Sequence, residues 1–478
     1  MVTWETTTIG ELLEFKNGLN KGKEFFGKGT PIVNYMDVYK HRGIHAEQLR
    51  GRVTLSAEEI KRFDVHKGDV FFTRTSETPE EVGYASVMLD EIDDCVFSGF
   101  VLRGRPITDK LDIDYCQYAF MTEDIRKAIM SGCTYTTRAL TNGKQLSAIE
   151  IQLPEKTEQR RIATALSDTD AYIAAMEKLI AKKRNIKKGA MQKLLTGKRR
   201  LPGFSGEWVN MNLAANSTLK ARIGWQGLTT AEYLDDGYSY LITGTNFDNG
   251  KIAWATCCFV DKHRYDQDIN IQVENGDVLI TKDGTIGKVA IVNGLSRKAT
   301  LNSGVFVLRP KAGAYDSRYV YYVLLSQIFT DFLDKLAAGS TINHLYQKDF
   351  MTFEFDVPPT IKEQTAIAVI LSDMDAEIDA LTAKLNKVRN IKRGMMQELL
   401  TGRIRLLEDE EEAAPEAKPI AKVIEMPKPE PQPTAAQTIG HNRQFDDAVM
   451  IAGIVNVLYS DKFPLGKIIK GVNRCDHD

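Results

Sequence analysis

The sequence predicts an α/β (α+β) chain with a pseudo-twofold internal repeat: two globular mixed α/β domains separated by two long helices packed as an antiparallel coiled coil. Three observations predict it. Pro154–Leu201 recurs as Pro359–Leu406 at a constant offset of 205 residues, without a gap and with about half of the positions identical. Each copy carries apolar residues at alternating steps of four and three, the a/d seam of a coiled coil. Each copy also follows roughly 150 residues that differ in wording but agree in their order of strand and helix signals. A repeat this long, present twice, is too sparse for a solenoid.

The helices come first because they carry the repeat. In the second copy the seam is Ile367, Leu371, Met374, Ile378, Leu381, Leu385 and Val388, resuming at Met395 and Leu399 after Lys392. In the first copy it is Ile162, Leu166, Thr169, Ile173, Met176 and Ile180, then Lys183, Lys187, Ala190 and Leu194. The weaker middle of the first seam is best covered by the apolar seam of the second. Pro154, Pro358 and Pro359 stand before the helices and Gly197 and Gly402 after them, as start and stop signals require. About 36 residues per helix give roughly 54 Å at 1.5 Å per residue. One copy would fit a generic dimerisation coil; two copies make an intramolecular antiparallel pair, and so a spacer, the simplest solution.

The expected domains are therefore 1–153, the first helix 154–203, a second domain 204–357 and the second helix 358–406. In the first domain the β-rich runs TPIVNYMDVY (30–39), GDVFFTRT (68–75), YASVML (84–89) and CVFSGFVLR (95–103) are divided by turn residues. A helix is expected over Asp114–Met130. The second domain repeats the order with SYLITGTNF (239–247), GDVLITKDGTIGKVAIV (276–292), LNSGVFVLRP (301–310) and a helical DSRYVYYVLLSQIFTDFL (316–333). Trp4-Glu5 is echoed by Glu207-Trp208. The tail departs from this pattern: 407–440 reads as an acidic, Pro-rich linker and 441–478 as a short helical element, a partner-docking module or the remnant of a longer extension.

Composition is ordinary for a globular chain of 478 residues, with 43% hydrophobic and 26% charged residues. No run of eighteen apolar residues and no signal peptide is apparent, and the six cysteines have neither disulfide-framework nor zinc-ligand spacing, which fits a reduced, cytoplasmic setting. The net charge of −2 is unevenly spread: residues from Leu407 on carry −5, leaving +3 for the rest. Lys178–Arg200 holds ten basic and no acidic residues. Such a run is either a solvated helix face or a surface for phosphates or an acidic partner.

Catalytic constellations are missing. GTIGKV (284–289) lacks the glycine spacing and the Ser/Thr of a phosphate loop and reads as a turn. His41 and His45 are four apart, but Gly43 between them argues for surface histidines rather than a metal pair. No nucleophile elbow, no S-adenosylmethionine loop, no Asn-Pro-Pro-aromatic motif and no nuclease set is found.

The helix blocks, PEKTEQRRIATAL…QKLLTGKRRLPGF and KEQTAIAVILSDMD…MQELLTGRIRL, together with the strands at Gly68-Asp69-Val70 and Gly276-Asp277-Val278, resemble the specificity subunit of type I restriction–modification systems. The resemblance covers residues 1–406. It implies that each variable domain is a target recognition domain reading one half of a split sequence in double-stranded DNA. It implies helices that set the gap between halves and bind two modification (methyltransferase) subunits, with restriction subunits joining them. It implies no catalysis and no cofactor on this chain, S-adenosylmethionine, ATP and Mg belonging to the partners, and no membrane association. Base contacts need bidentate or polar side chains on exposed turns. The candidates are Tyr35, Arg74, Thr75, Tyr135, Thr137 and Arg138 in the first domain and Thr245, Asn246, Lys282, Thr285, Asn343 and His344 in the second. On the helices, Arg184-Asn185-Ile186-Lys187 and Arg389-Asn390-Ile391-Lys392 suggest a shared partner contact. A coiled-coil scaffold with two protein-binding domains is the alternative reading, and a self-contained nuclease or methylase a third.

Overall fold

The computed structural model describes residues 4–337 and 344–406, so the linker and tail expected at 407–478 lie outside the described residues. Two helices dominate it: α1 (Lys156–Leu194) and α2 (Ile361–Leu399), each one unbroken run of 39 residues. The chain divides into two compact units, Met1–Ala174 together with the chain from Asn386 on, and Ala175–Leu385. The division cuts each long helix rather than falling at its ends, so each unit owns a piece of both.

In the first unit a five-stranded sheet has the order Leu13–Asn17, Val101–Pro106, Val70–Thr73, Ala85–Met88, Gly43–Ile44, antiparallel except for its last pair. A smaller sheet sets Phe26–Val33 between Arg52–Val53 and a parallel Val96–Phe97. Glu5–Thr8 pairs with Glu150–Leu153 and brings the ends of the domain together. The second unit repeats this. Its six-stranded sheet runs Ser217–Ala221, Val305–Pro310, Val278–Thr281, Val289–Ile291, Lys251–Ile252, Phe247–Asp248. Ser239–Ile242 lies between Cys258–Val260 and a parallel Ala299–Leu301, and Val209–Asn212 pairs with Glu354–Val357.

The central strands explain the Gly-Asp-Val motif. Val70 and Phe72 enter the main core while Phe71 enters a second cluster, and Val278 and Ile280 divide from Leu279 in the same way. Both faces are covered, so the strand is a continuous apolar run rather than an alternation. Gly68 and Gly276 take φ of +89° and +95°, a region other residues avoid. Asp69 and Asp277, both buried, receive a forked arginine: Arg105 at 2.8 Å to each oxygen and Arg309 at 2.7 and 2.6 Å. These hydrogen bonds lift both guanidinium pKa values above the ordinary arginine value.

Two local expectations are corrected. MDVY is not strand: Tyr35–Lys40 is a helix begun by an Asn34/Asp37 capping box, and Gly244–Asn246 turns in the same way after Thr243. The helix expected over Asp114–Met130 is two, Cys116–Ala119 and Glu123–Gly132, because the Thr122 hydroxyl caps a new start at Ile125 N. Its counterpart breaks equally, into Ser317–Leu324 and Gln327–Ala337.

Within each unit the helix pieces run antiparallel. In the first, Ile162, Ala163 and Leu166 share the main core with Met395, Leu399 and Leu400. Glu158, 3% exposed, receives Arg405 at 2.8 and 2.7 Å and the Trp4 indole N–H at 3.1 Å. In the second, Ile367, Ala368 and Leu371 share the core with Leu194 and Leu195, and Glu363, 1% exposed, receives Arg200 at 2.6 and 2.7 Å. The repeated glutamines are buried too. Gln159 accepts from Asp112 N and donates to the carbonyls of Lys110 and Pro154; Gln364 accepts from Asp316 N and donates to that of Pro358. Gly197 and Gly402 end the helices at φ of +70° and +69°, and any Cβ there would press on the rings of Trp208 and Trp4.

Candidate nucleic-acid interface

Each central strand ends in a threonine that ties the turn beyond it. The Thr73 hydroxyl donates to Glu81 O at 3.1 Å and accepts from Tyr84 N at 2.8 Å; the Thr281 hydroxyl donates to Thr285 O at 2.6 Å and accepts from Lys288 N at 2.9 Å. The next residue is a cation in both units, and its backbone is held by the same two bonds. Arg74 N donates to Phe100 O and Arg74 O accepts from Thr141 N, both at 3.0 Å. Lys282 N donates to Gly304 O and Lys282 O accepts from Leu345 N, both at 2.9 Å. Arg74 and Lys282 are thus equivalent positions, although the sequence offset between them differs from that of the helices.

In the first unit the structure gathers the candidates. Thr75 lies on a short strand, Thr75–Ser76, that pairs with Ala139–Leu140, itself paired with Thr134–Tyr135, so Thr137 and Arg138 form the intervening turn. Tyr35, Thr75 and Arg138 line one pocket of about 310 Å³, with Glu81 and Phe100. Tyr135, Thr137 and Arg138 are exposed, whereas Arg74 is half-buried, with its Nε unpartnered. Burial lifts the Tyr35 phenol above its ordinary value against the opposing hydrogen bond with Ser76, and the hydrogen bond to Glu81 lifts that of Tyr39.

In the second unit Lys282 and His344 come together: the lysine Nζ is 3.4 Å from His344 Nε2, and His344 Nδ1 pairs with Asp283, while Thr285 is exposed on the turn tied by Thr281. Gly244 approaches Thr281 so closely that a Cβ would lie 2.9 Å from its methyl, and the next residue, Thr245, is exposed with its hydroxyl 2.7 Å from that of Thr243. Asn246 does not fit the role expected of it. It is 4% exposed, with its oxygen taken by Thr243 and its amide nitrogen by Thr256, so it closes a turn and has no polar atom free for a base. Asn343 lies outside the described residues.

The remaining motifs resolve simply. GTIGKV is the turn tied by Thr281, with Gly284 and Gly287 at φ of +67° and +78°. His45 pairs with Asp90 at 3.1 Å, and among the described residues no group of three or more His, Cys, Asp or Glu could hold a metal ion. No described helix is long and apolar enough to cross a membrane. Sequence reasoning passed over Glu81 and Phe100. Phe100 reads as part of an apolar strand yet is 59% exposed, and Glu81, a carboxylate, lacks the positive charge expected of a surface that meets phosphates.

Two copies of one scaffold thus each present a cation at an equivalent place, with different groups on the turns around it. The family model for the type I restriction modification DNA specificity domain matches residues 1–183 and 228–390, and the chain belongs to that family. It is a type I restriction–modification specificity subunit, the non-catalytic DNA-recognition component of such complexes. It is similar to a Methanocaldococcus jannaschii chain assigned as the MjaX type I restriction enzyme specificity subunit, 24% identical over 84% of this chain and 94% of the relative. The EcoKI specificity subunit of Escherichia coli K12 is 25% identical over 41% of this chain and 42% of its own. Among solved structures, the S subunit from M. genitalium superposes with a TM-score of 0.53 at 16% identity, over 83% of this chain and 96% of that one.

Proposed function

We propose that each unit reads one half of a bipartite target in double-stranded DNA, and that the chain thereby directs adenine methylation and restriction by its partners. Two modification subunits and the restriction subunits would carry S-adenosylmethionine, ATP and Mg, acting in the cytoplasm, where the five free cysteines found among the described residues stay reduced. The observation that carries this reading is the equivalence of Arg74 and Lys282: one backbone frame, a cation at the same place, and different neighbours. A cation fixes register on phosphate or guanine, and changed neighbours change the bases accepted. The domains 1–153 and 204–357 would be the two reading domains, with 154–203 and 358–406 as spacer. Two uninterrupted helices of 39 residues support a fixed gap between the halves. The exposed Arg184-Asn185-Ile186 and Arg389-Asn390 would face the partner subunits.

Mapping methylated adenines across the genome, with this chain present or deleted and the partner genes intact, tests the proposal. One split motif should lose its methylation in the deletion; an unchanged pattern with the partners expressed would refute it. Four residues inserted in both helices at matching positions add about 6 Å, so the gap in the motif should widen by roughly two base pairs.

A further inference from the structure

Glu81 brings a negative charge into the pocket that Tyr35, Thr75 and Arg138 share. On a surface meant for phosphates a carboxylate is unfavourable unless it accepts something, and this one is held as if to do so. Its Oε1 accepts from the Tyr39 hydroxyl at 2.9 Å and its Oε2 from the Ser76 hydroxyl at 2.9 Å. Tyr39 is itself fixed, stacked on Tyr35 at 5.8 Å and edge-on to Tyr84 at 5.3 Å, and Ser76 is buried in register with Ala139. Three elements therefore orient the carboxylate: the helix Tyr35–Lys40, the strand Thr75–Ser76 and the turn Pro79–Glu81. An ionised carboxylate has about four lone-pair sites. Two are filled by these hydroxyls, which leaves acceptor capacity on a group that only accepts.

The second unit supplies an independent comparison. The hydroxyl of Thr73 donates to the carbonyl of Glu81 as that of Thr281 donates to the carbonyl of Thr285. Glu81 and Thr285 thus occupy the same place in the repeated frame, one a carboxylate and one an exposed hydroxyl. A position anchored through its backbone and free to vary in its side chain is where a shared scaffold can change what it reads.

In the major groove only cytosine, through N4, and adenine, through N6, offer hydrogen-bond donors, and adenine sets an N7 acceptor beside its donor that would repel a carboxylate. Resting on the DNA-reading function above, we propose that Glu81 sets a cytosine at one position of the half-site read by the first unit, accepting a hydrogen from its N4 amino group. Thr285, at the equivalent place, leaves the corresponding position of the other half without that requirement.

The test uses the complete complex, this chain with its modification subunits, methylating duplexes in which each base pair of the motif is varied in turn. For Glu81→Gln the preference for cytosine should fall about tenfold at one pair of one half-site and move towards adenine, which an amide matches through N6 and N7. The other half-site, read by the second unit, should not change. Tyr39→Phe, which removes one orienting bond, should weaken discrimination at that same pair. If Glu81→Gln prevents assembly, the Tyr39→Phe result decides. Unchanged preference at every pair, or a uniform loss at all of them, overturns the proposal, the latter making Glu81 a purely structural residue. A wild-type complex without any sequence preference would instead remove the DNA-reading function itself.

Discussion

Lys392 on α2 pairs with Asp170 on α1, and the same two residue types recur in the other unit as Lys187 on α1 with Asp375 on α2, at 2.6 Å. Both lysines stand where the apolar seam is interrupted. Tyrosine hydroxyls complete each layer: Tyr118 donates to Asp170 at 3.0 Å and Tyr322 to Asp375 at 2.8 Å. Burial pulls the Lys392 pKa below the usual lysine range, although Asp170 opposes this. A polar layer inside an apolar seam fixes register at some cost in stability. Lys187→Met should lower unfolding stability by about 1–3 kcal/mol, since it strands a partly buried carboxylate. Lys187→Met with Asp375→Asn should cost less than the sum of the single changes, which urea unfolding of all four forms would measure.

Glu363 is the more deeply buried acid, with its partner Arg200 about a quarter exposed at the side chain. Removing the acid leaves an arginine that can partly rehydrate, so Glu363→Ala should cost about 2–3 kcal/mol rather than the larger loss of a fully enclosed pair. Denaturant midpoints give the answer, and Glu363→Gln should retain part of the stability.

His66 bonds to Glu91 at 3.0 Å and to Asp64 at 2.9 Å, and these acids raise its pKa despite burial and the nearby Arg105. A raised folded-state value stabilises the fold below the unfolded pKa, about 6.5, and the gain disappears as pH rises through the folded value. With a side chain 54% exposed the effect should stay under about 1 kcal/mol. Thermal unfolding of the wild type and His66→Ala should differ more at pH 5.5 than at pH 9; equal differences would exclude this origin.

Arg74→Ala and Lys282→Ala each remove the cation of an equivalent site. If the cation meets phosphate, each should weaken DNA binding across all sequences and reduce the slope of log affinity against log salt by about 1. If it meets guanine, one base position should relax instead, in a different half-site for each variant. Titration of the complex against duplexes at several salt concentrations distinguishes the two.

How much of this was legible in sequence depends on the range of each signal. The seam was plain because its spacing is local: Ile162, Leu166, Thr169, Met176 and Ile180 are all buried in α1, as are Ile367, Leu371, Ile378 and Leu385 in α2. The repeated Glu-Gln pairs were visible but mute, because Glu158 takes its partner Arg405 from 247 positions away. The apolar spacing over 35–39 argues for strand, but the Asn34/Asp37 capping box starts a helix there. Asn246 shows that polarity is not availability, and Glu81 leaves no mark in the sequence because its pocket is walled by segments as far apart as Tyr35 and Arg138.

The first unit is closed by the chain's own far segment. Its main core includes Met395, Leu399, Leu400 and Leu406 beside residues from the first half of the chain, and Glu158 waits for Arg405. During synthesis, then, the domain made first is finished last. Until α2 has emerged, an apolar face of the first unit stays uncovered while some two hundred further residues are made. A chain that ended before Asn386 would lack its own cover for that face, which would then stay exposed unless the repeated helix of a second copy closed it.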